Sequence, residues 1–193
     1  MIDIPCIIFA GGKSSRMGED KALLPFGRFP TLTQYQLHKF RPHFSNVYIS
    51  CKHKEKFDFQ ANFIEDNPSY GISAPFVGLL SVFETLRCEK IFVLSVDTPF
   101  FEPEHFEKLL HHESKESSII VSKSSTGVQP LCAIYKKEVV PIMTRLMAEK
   151  RYRFSGVFDK IATTFVDFKE DEIFTNLNFP EDYQKALQRN KNG

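Results

Sequence analysis

Short apolar runs alternate along this chain with longer segments whose apolar residues recur at helical spacing. Residues 4–9 (IPCIIF), 46–51 (NVYISC), 62–64, 90–95 (KIFVLS), 118–122, 131–135 and 163–167 read as strands. Leu32, Tyr35, Leu37 and Phe40 fall on one side of a helix for which Thr31 supplies an N-cap oxygen. Pro75 suits the first turn of a helix through Leu79, Leu80 and Phe83 to about Leu86. Further helices follow Pro103 (Phe106, Leu109, Leu110), span 139–147, and open at Pro180, where Glu181 and Asp182 favour the positive end of the dipole. Strands that are apolar nearly throughout are buried on both faces. Their alternation with helices therefore predicts an α/β fold with a mostly parallel sheet and helices on both sides.

Length narrows this further. A chain of 193 residues can bury one proper core and is short for two, so a single domain over 1–193 is expected. With 20 Phe and no Trp, phenylalanine must supply much of the core bulk. The 25 Lys and Arg balance 24 Asp and Glu, so no global charge points to a nucleic-acid or membrane partner. No apolar stretch approaches the roughly 20 residues of a membrane helix. Met1-Ile2-Asp3 has no basic region typical of a secretory signal. Cys6, Cys51, Cys88 and Cys132 show no C-x-x-C spacing, which argues against zinc and for reduced, buried thiols in a cytoplasmic protein.

The chemistry concentrates after the first strand, in residues 9–21 (FAGGKSSRMGEDK). Small residues at Ala10, Gly11 and Gly12 let the backbone approach a phosphate chain with its N–H groups toward anionic oxygens. Lys13, Arg16 and Lys21 gather positive charge at one place in a neutral chain. Neither the Walker A spacing nor G-x-G-x-x-G can be read here. A second candidate is Asp97, which ends a buried apolar run, where a carboxylate is well placed to hold Mg²⁺. On position alone, Asp97 before Thr98-Pro99 equally suits a turn.

Residues 9–21 resemble the L-A-G-G-x-S-x-R-M-G-x-D-K sequence of the molybdenum cofactor guanylyltransferase family, with Phe9 in place of Leu. Related nucleotidyltransferases carry Ala where Gly11 stands. Ile64-Glu65-Asp66 looks like the family's V-x-D. Residues 74–79 (APFVGL) resemble G-P-L-A-G-L, with Ala74 for the first Gly. Gln129-Pro130-Leu131 resembles the stretch before a central strand, and 176–182 (NLNFPED) resembles N-x-N-T-P-E-E, with Phe179 for Thr. The resemblance covers nearly the whole chain and implies a three-layer Rossmann-like nucleotidyltransferase fold. It also implies transfer of GMP from GTP to the terminal phosphate of molybdopterin, with Mg²⁺, releasing pyrophosphate. On this basis Phe9, Ala10, Gly11, Gly12, Lys21, Asp66 and Asp97 bind nucleotide. Arg16, Lys21 and Asp97 act in catalysis, and Asp97 holds the metal. Pro130, Asn176 and Asn178 shape the acceptor site. Other cofactor-assembly proteins and recipient molybdoenzymes are the implied partners. A transferase of the same kind using CTP or another triphosphate, with a pterin or sugar-phosphate acceptor, is the alternative. A non-catalytic nucleotide-binding regulator on the same fold is another.

Other residues read as structural. The six histidines show no pairing typical of a metal ligand or triad, and His111 and His112 fall at a helix end. Ser14 and Ser15 lack a base. The run 52–56 (KHKEK) reads as a solvated loop, and Phe154 and Phe158 as core.

Overall fold

A computed structural model describes residues 1–11, 18–72 and 74–191. Seven strands form one sheet: β1 (Cys6–Phe9), β2 (Val47–Cys51), β3 (Asn62–Glu65), β4 (Lys90–Ser95), β5 (Ile119–Ser124), β6 (Gly127–Lys136) and β7 (Thr163–Asp167). Their spatial order is β3-β2-β1-β4-β6-β5-β7. β1 runs parallel to β2 and β4, β2 to β3, and β5 to β7. β6 is antiparallel to both of its neighbours.

Side chains on a strand alternate between faces, and β1 shows the consequence. Cys6 and Ile8 enter one apolar cluster with Leu32, Leu37 and Phe40 of α1 (Leu32–Phe40), Phe106 and Leu109 of α3 (Pro103–His111), and Ala186 of α6 (Pro180–Lys191). Ile7 and Phe9 enter the other with α2 (Pro75–Leu86), α4 (Val139–Ala148) and the short α5 (Ser155–Phe158). The sheet is thus covered on both faces, as the apolar strands require. Phenylalanine does supply the bulk. Phe40, Phe92, Phe101 and Phe106 are fully buried, with Phe92 and Phe106 ring centroids 4.6 Å apart. Burial of each such side chain contributes roughly 2–3 kcal/mol. Together they anchor β4, and Asp97 follows two residues past its end.

Several boundaries differ from the sequence reading. The first strand begins at Cys6 rather than Ile4, although the Pro5 carbonyl still accepts the Phe92 N–H at 2.9 Å. The strand expected at 131–135 starts instead at Gly127, because β5 and β6 form a hairpin joined by Ser125-Thr126, with Gly127 at φ 131°. Within that hairpin the register shifts between Val121, opposite Ala133, and Ser122, opposite Gln129. Pro130, Leu131 and Cys132 are therefore the extra residues of a bulge, the one setting in which an inner strand tolerates proline. Thr31 caps α1 as expected, accepting the Gln34 N–H at 3.1 Å. Phe154 and Phe158 are half-buried against the second cluster. Among the described residues, no helix is long and apolar enough to cross a membrane.

Candidate functional site

β1 and β4 lie side by side and parallel, so their C-terminal ends open together at one edge of the sheet. Chain leaving both strands at this edge carries the sequence candidates, as open α/β sheets favour. Past β4, the backbone around Asp97 is held from α1. Gln36 Nε2 donates to the Val96 and Thr98 carbonyls at 3.2 and 3.0 Å. The Lys39 ammonium donates to Phe101 O at 3.1 Å and to Pro99 O, and pairs with Glu102 at 3.1 Å. Burial pulls the Lys39 pKa down to about 8 against the opposing pull of Glu102. That a buried ammonium is spent on this loop indicates how firmly its path is set.

The Asp97 side chain is oriented twice. Ser95 Oγ donates to Oδ1 at 2.6 Å, and the Lys21 ammonium to Oδ2 at 3.0 Å. Lys21 also donates to Asn178 Oδ1 at 2.7 Å. Asn178 reaches this point because Leu177, fully buried, donates its N–H to the Asp97 carbonyl at 3.2 Å. Three segments remote in sequence therefore meet on one ammonium, with Lys21 and Asp97 side chains only 14% and 19% exposed. The oxygens of Asp97 and Asn178 already share one cation here, and they are the hard donor type a divalent ion such as Mg²⁺ takes. This donor set fits a metal held at Asp97.

Lys21 opens a 3-10 turn, Lys21–Leu23, capped by Asp20 Oδ1 on the Ala22 N–H at 3.0 Å. Asp20 Oδ2 pairs with Lys56 at 2.6 Å, and the same ammonium donates to the Ala10 carbonyl at 2.8 Å. Ala10 is buried and continues the β1 ladder through its N–H to Ser50 O at 2.8 Å, while Gly11 is exposed. A Cβ added at Gly11 would meet Cys51 and Lys52 backbone at 3.6 Å, an ordinary contact, so packing alone does not require glycine there. Gly12 and Arg16 lie outside the described residues.

On the other side of β1 is a pocket of 560 Å³ lined by Lys52, His53, Asp66, Asn67, Pro68 and Gly71, among others. The Asp66 N–H continues the ladder past β3 to Cys51 O at 2.9 Å, which aims its carboxylate at this edge. Burial raises the Asp66 pKa, with Lys52 and His53 opposing. Gly78, in the first turns of α2, passes so close that an added Cβ would lie 2.8 Å from Phe9 Cε1, 3.1 Å from Ser50 Oγ and 3.3 Å from Asp66 Oδ1. Phe9 is 4% exposed with its ring against that helix.

The structure thus brings Lys21, Asp97 and Asn178 into direct contact, and sets Ala10 beside them through Lys56 and Asp20. Asp66 stands at the neighbouring pocket. Asn176 is tied to this group through its carbonyl, which accepts the Asn178 N–H at 2.9 Å. Pro130 lies in the β6 bulge, where its carbonyl accepts the Tyr135 hydroxyl at 2.8 Å. Two readings need correction. The run 52–56 is not uniformly solvated, because Lys56 spans the site and only 22% of its side chain is exposed. The histidines are not all remote from other ligands, because exposed His53, Glu55 and Glu65 bring ligand atoms within 4.8 Å of one another. Glu65 there already accepts the Lys54 N–H at 3.1 Å, and its carboxylate faces the Lys54 ammonium at 3.6 Å. Sequence reasoning missed Lys56 and Ser95. The only sequence signal for Ser95 was its place two residues before Asp97.

Comparison with known proteins identifies the family and the fold. The family model described as MobA-like NTP transferase domain matches residues 6–161. A molybdenum cofactor guanylyltransferase from Campylobacter jejuni subsp. doylei is 35% identical over 183 residues, covering 95% of this chain and 95% of that protein. Among solved structures, molybdopterin-guanine dinucleotide biosynthesis protein A from Archaeoglobus fulgidus is similar in fold, with a TM-score of 0.84 at 19% identity over 98% of this chain and 100% of that one. A Mycobacterium tuberculosis protein solved as a complex with manganese, Rv0371C, shares the fold at TM-score 0.67 and 18% identity, over 96% of this chain and 98% of that one.

Proposed function

This chain belongs to the MobA-like NTP transferase family, and we propose that it is a molybdenum cofactor guanylyltransferase, moving GMP from GTP to the terminal phosphate of molybdopterin. The observation that carries this reading is the Lys21 ammonium bridged to Asp97 and Asn178, which lie 76 and 157 residues away in sequence, beside a pocket large enough for a base. A phosphate oxygen of the acceptor attacks the α-phosphorus of GTP. One O–P bond forms, the bond to the β-phosphate oxygen breaks, and pyrophosphate leaves with that electron pair. The attacking group is already an anion, so no protein nucleophile is needed, and the barrier is mainly repulsion between anions and alignment.

The residues supply these two needs. Lys21 neutralises charge near the α- and β-phosphates. Phe9 and Ala10 are buried with their backbone groups bonded to neighbouring segments, so they set the floor of the loop, and the exposed Gly11 receives the phosphate chain, with Gly12 and Arg16 joining it by the family resemblance. Gly11 is bare where packing does not demand it, which supports an exposed backbone kept open to a ligand. Asp66 accepts from the nucleobase. Asp97 would hold a Mg²⁺ ion, which when bound neutralises phosphate oxygens. Asn176 and Asn178 face the acceptor side, and Pro130 sets the bulge behind it. Four free cysteines suit a reducing cytoplasm. Delivery of the product to other assembly proteins and to molybdoenzymes follows from the same reading.

The test is a thermal titration with GTP, CTP, ATP and UTP, each with Mg²⁺, followed by pyrophosphate release in the presence of molybdopterin. A ligand at 100 times its Kd stabilises the native state by about 2.7 kcal/mol. A shift confined to GTP, with release dependent on molybdopterin, is expected. A shift confined to CTP moves the assignment to a cytidylyl transfer, and no shift with any triphosphate overturns it.

A further inference from the structure

Lys56 is the residue whose contacts exceed anything its sequence setting suggests. It closes the 3-10 turn Lys54–Lys56 in a strongly charged run, yet its side chain is 22% exposed where that of Lys54 is 56% exposed. Its ammonium lies 4.9 Å from the Phe57 ring centroid, a cation–π contact that steadies the long stem. From that position it donates to two acceptors ten residues apart, the Ala10 carbonyl at 2.8 Å and Asp20 Oδ2 at 2.6 Å. Both bonds are short, and the second is between opposite charges, the strong class of hydrogen bond.

Each acceptor has a second tie. Ala10 is fastened to β2 through its N–H. Asp20 uses its other oxygen to cap the turn that carries Lys21. A continuous chain of contacts therefore runs from the end of β1 through Lys56 and Asp20 to Lys21, and on to Asp97 and Asn178. Without Lys56, a carbonyl dipole and a carboxylate would face one another uncompensated where a polyanionic substrate must arrive.

We infer that Lys56 is a positioning residue of the transfer: by bonding Ala10 and Asp20 together it fixes the turn from which Lys21 reaches the phosphates. This rests on the guanylyltransferase reading for its kinetic consequence, and on geometry alone for its structural one. Lys56→Met, Asp20→Asn and the double variant test both. Small misplacement of a catalytic group costs up to about 100-fold in rate. Lys56→Met is therefore expected to lower kcat roughly 10- to 100-fold with the GTP KM changed less than about threefold. The double variant is expected to be no slower than the slower single, since both remove one contact. Asp20→Asn, which leaves Lys56 in place, should reproduce the loss should Lys56→Met fold poorly. Amide hydrogen exchange at Ala22 and Leu23 should quicken in each variant. A KM effect without a kcat effect, or kcat losses that multiply, would overturn the inference by making Lys56 a direct or independent contact. Unchanged exchange at Ala22 overturns it whatever the substrate. A wild-type protein inert with GTP and molybdopterin overturns the functional reading alone, and the exchange data then still decide whether Lys56 holds the turn.

Discussion

Gly78 allows two opposing effects to be weighed against each other. It lies inside α2 with a backbone conformation open to any residue, so Gly78→Ala should gain the intrinsic helix preference of alanine, about 1 kcal/mol. The added Cβ, however, would sit 2.8 Å from Phe9 Cε1, where carbon atoms pack at about 3.5–4.0 Å. Phe9 is 4% exposed and Ser50 2%, so neither can swing into solvent. Overpacking of this kind costs about 1–3 kcal/mol. The net expectation is a loss of about 1 kcal/mol, or a fall in Tm of about 2–4 °C for a domain of this size. Calorimetry on four proteins tests the cause as well as the sign: wild type, Gly78→Ala, Phe9→Leu and the double variant. Leucine has no atom at the Cε1 position, so in that background the loss should shrink, a coupling of about 1–2 kcal/mol, while the contacts with Ser50 Oγ and Asp66 Oδ1 at 3.1 and 3.3 Å remain. A Gly78→Ala protein that melts 2 °C or more above wild type refutes the reasoning, as does an equal loss in both backgrounds.

At Lys21, replacement by Met should lower kcat/KM by about 10²–10³, the cost typical of a preorganised electrostatic group, and steady-state pyrophosphate release at unaltered turnover would remove it from the mechanism. Asp97→Asn should lose most activity and the response to added Mg²⁺, so full turnover across a metal titration would contradict its role. Asp66 carries a pH signature: burial raises its pKa above the ordinary 3.8, so its contribution to stability is complete below that value and is lost as pH rises through the folded-state pKa. At pH 7 the charged group is thus a net cost, and Asp66→Asn should leave the free protein's Tm equal or higher while weakening GTP binding. Its advantage over wild type should vanish on acidification below about pH 4, and a fall in Tm of 4 °C or more at pH 7 would show the carboxylate to be stabilising.

Much of the architecture was legible in sequence because burial on both sheet faces leaves continuous apolar runs, as in 90–95, and because Thr31, Pro75, Pro103 and Pro180 mark helix starts by local chemistry. The strand at Gly127–Gln129 was not legible, since those half-buried residues carry no apolar periodicity, and neither was the reversed direction of β6, which pairing alone decides. In the candidate site, Lys21, Asp97 and Asn178 could each be singled out from local motifs. That they meet on one ammonium could not, because the contact spans up to 157 residues and depends on β1 and β4 lying adjacent. Lys56 marks the limit most sharply. The residues before it in sequence are lysines, a glutamate and a histidine, so that run reads as solvated. Only the fold, by placing the end of β2 beside the end of β1, turns that ammonium toward Ala10 and Asp20. Local periodicity and capping are properties of neighbouring residues and can be read from their order, whereas the partner of a long charged side chain is set by which remote backbone the sheet brings within reach.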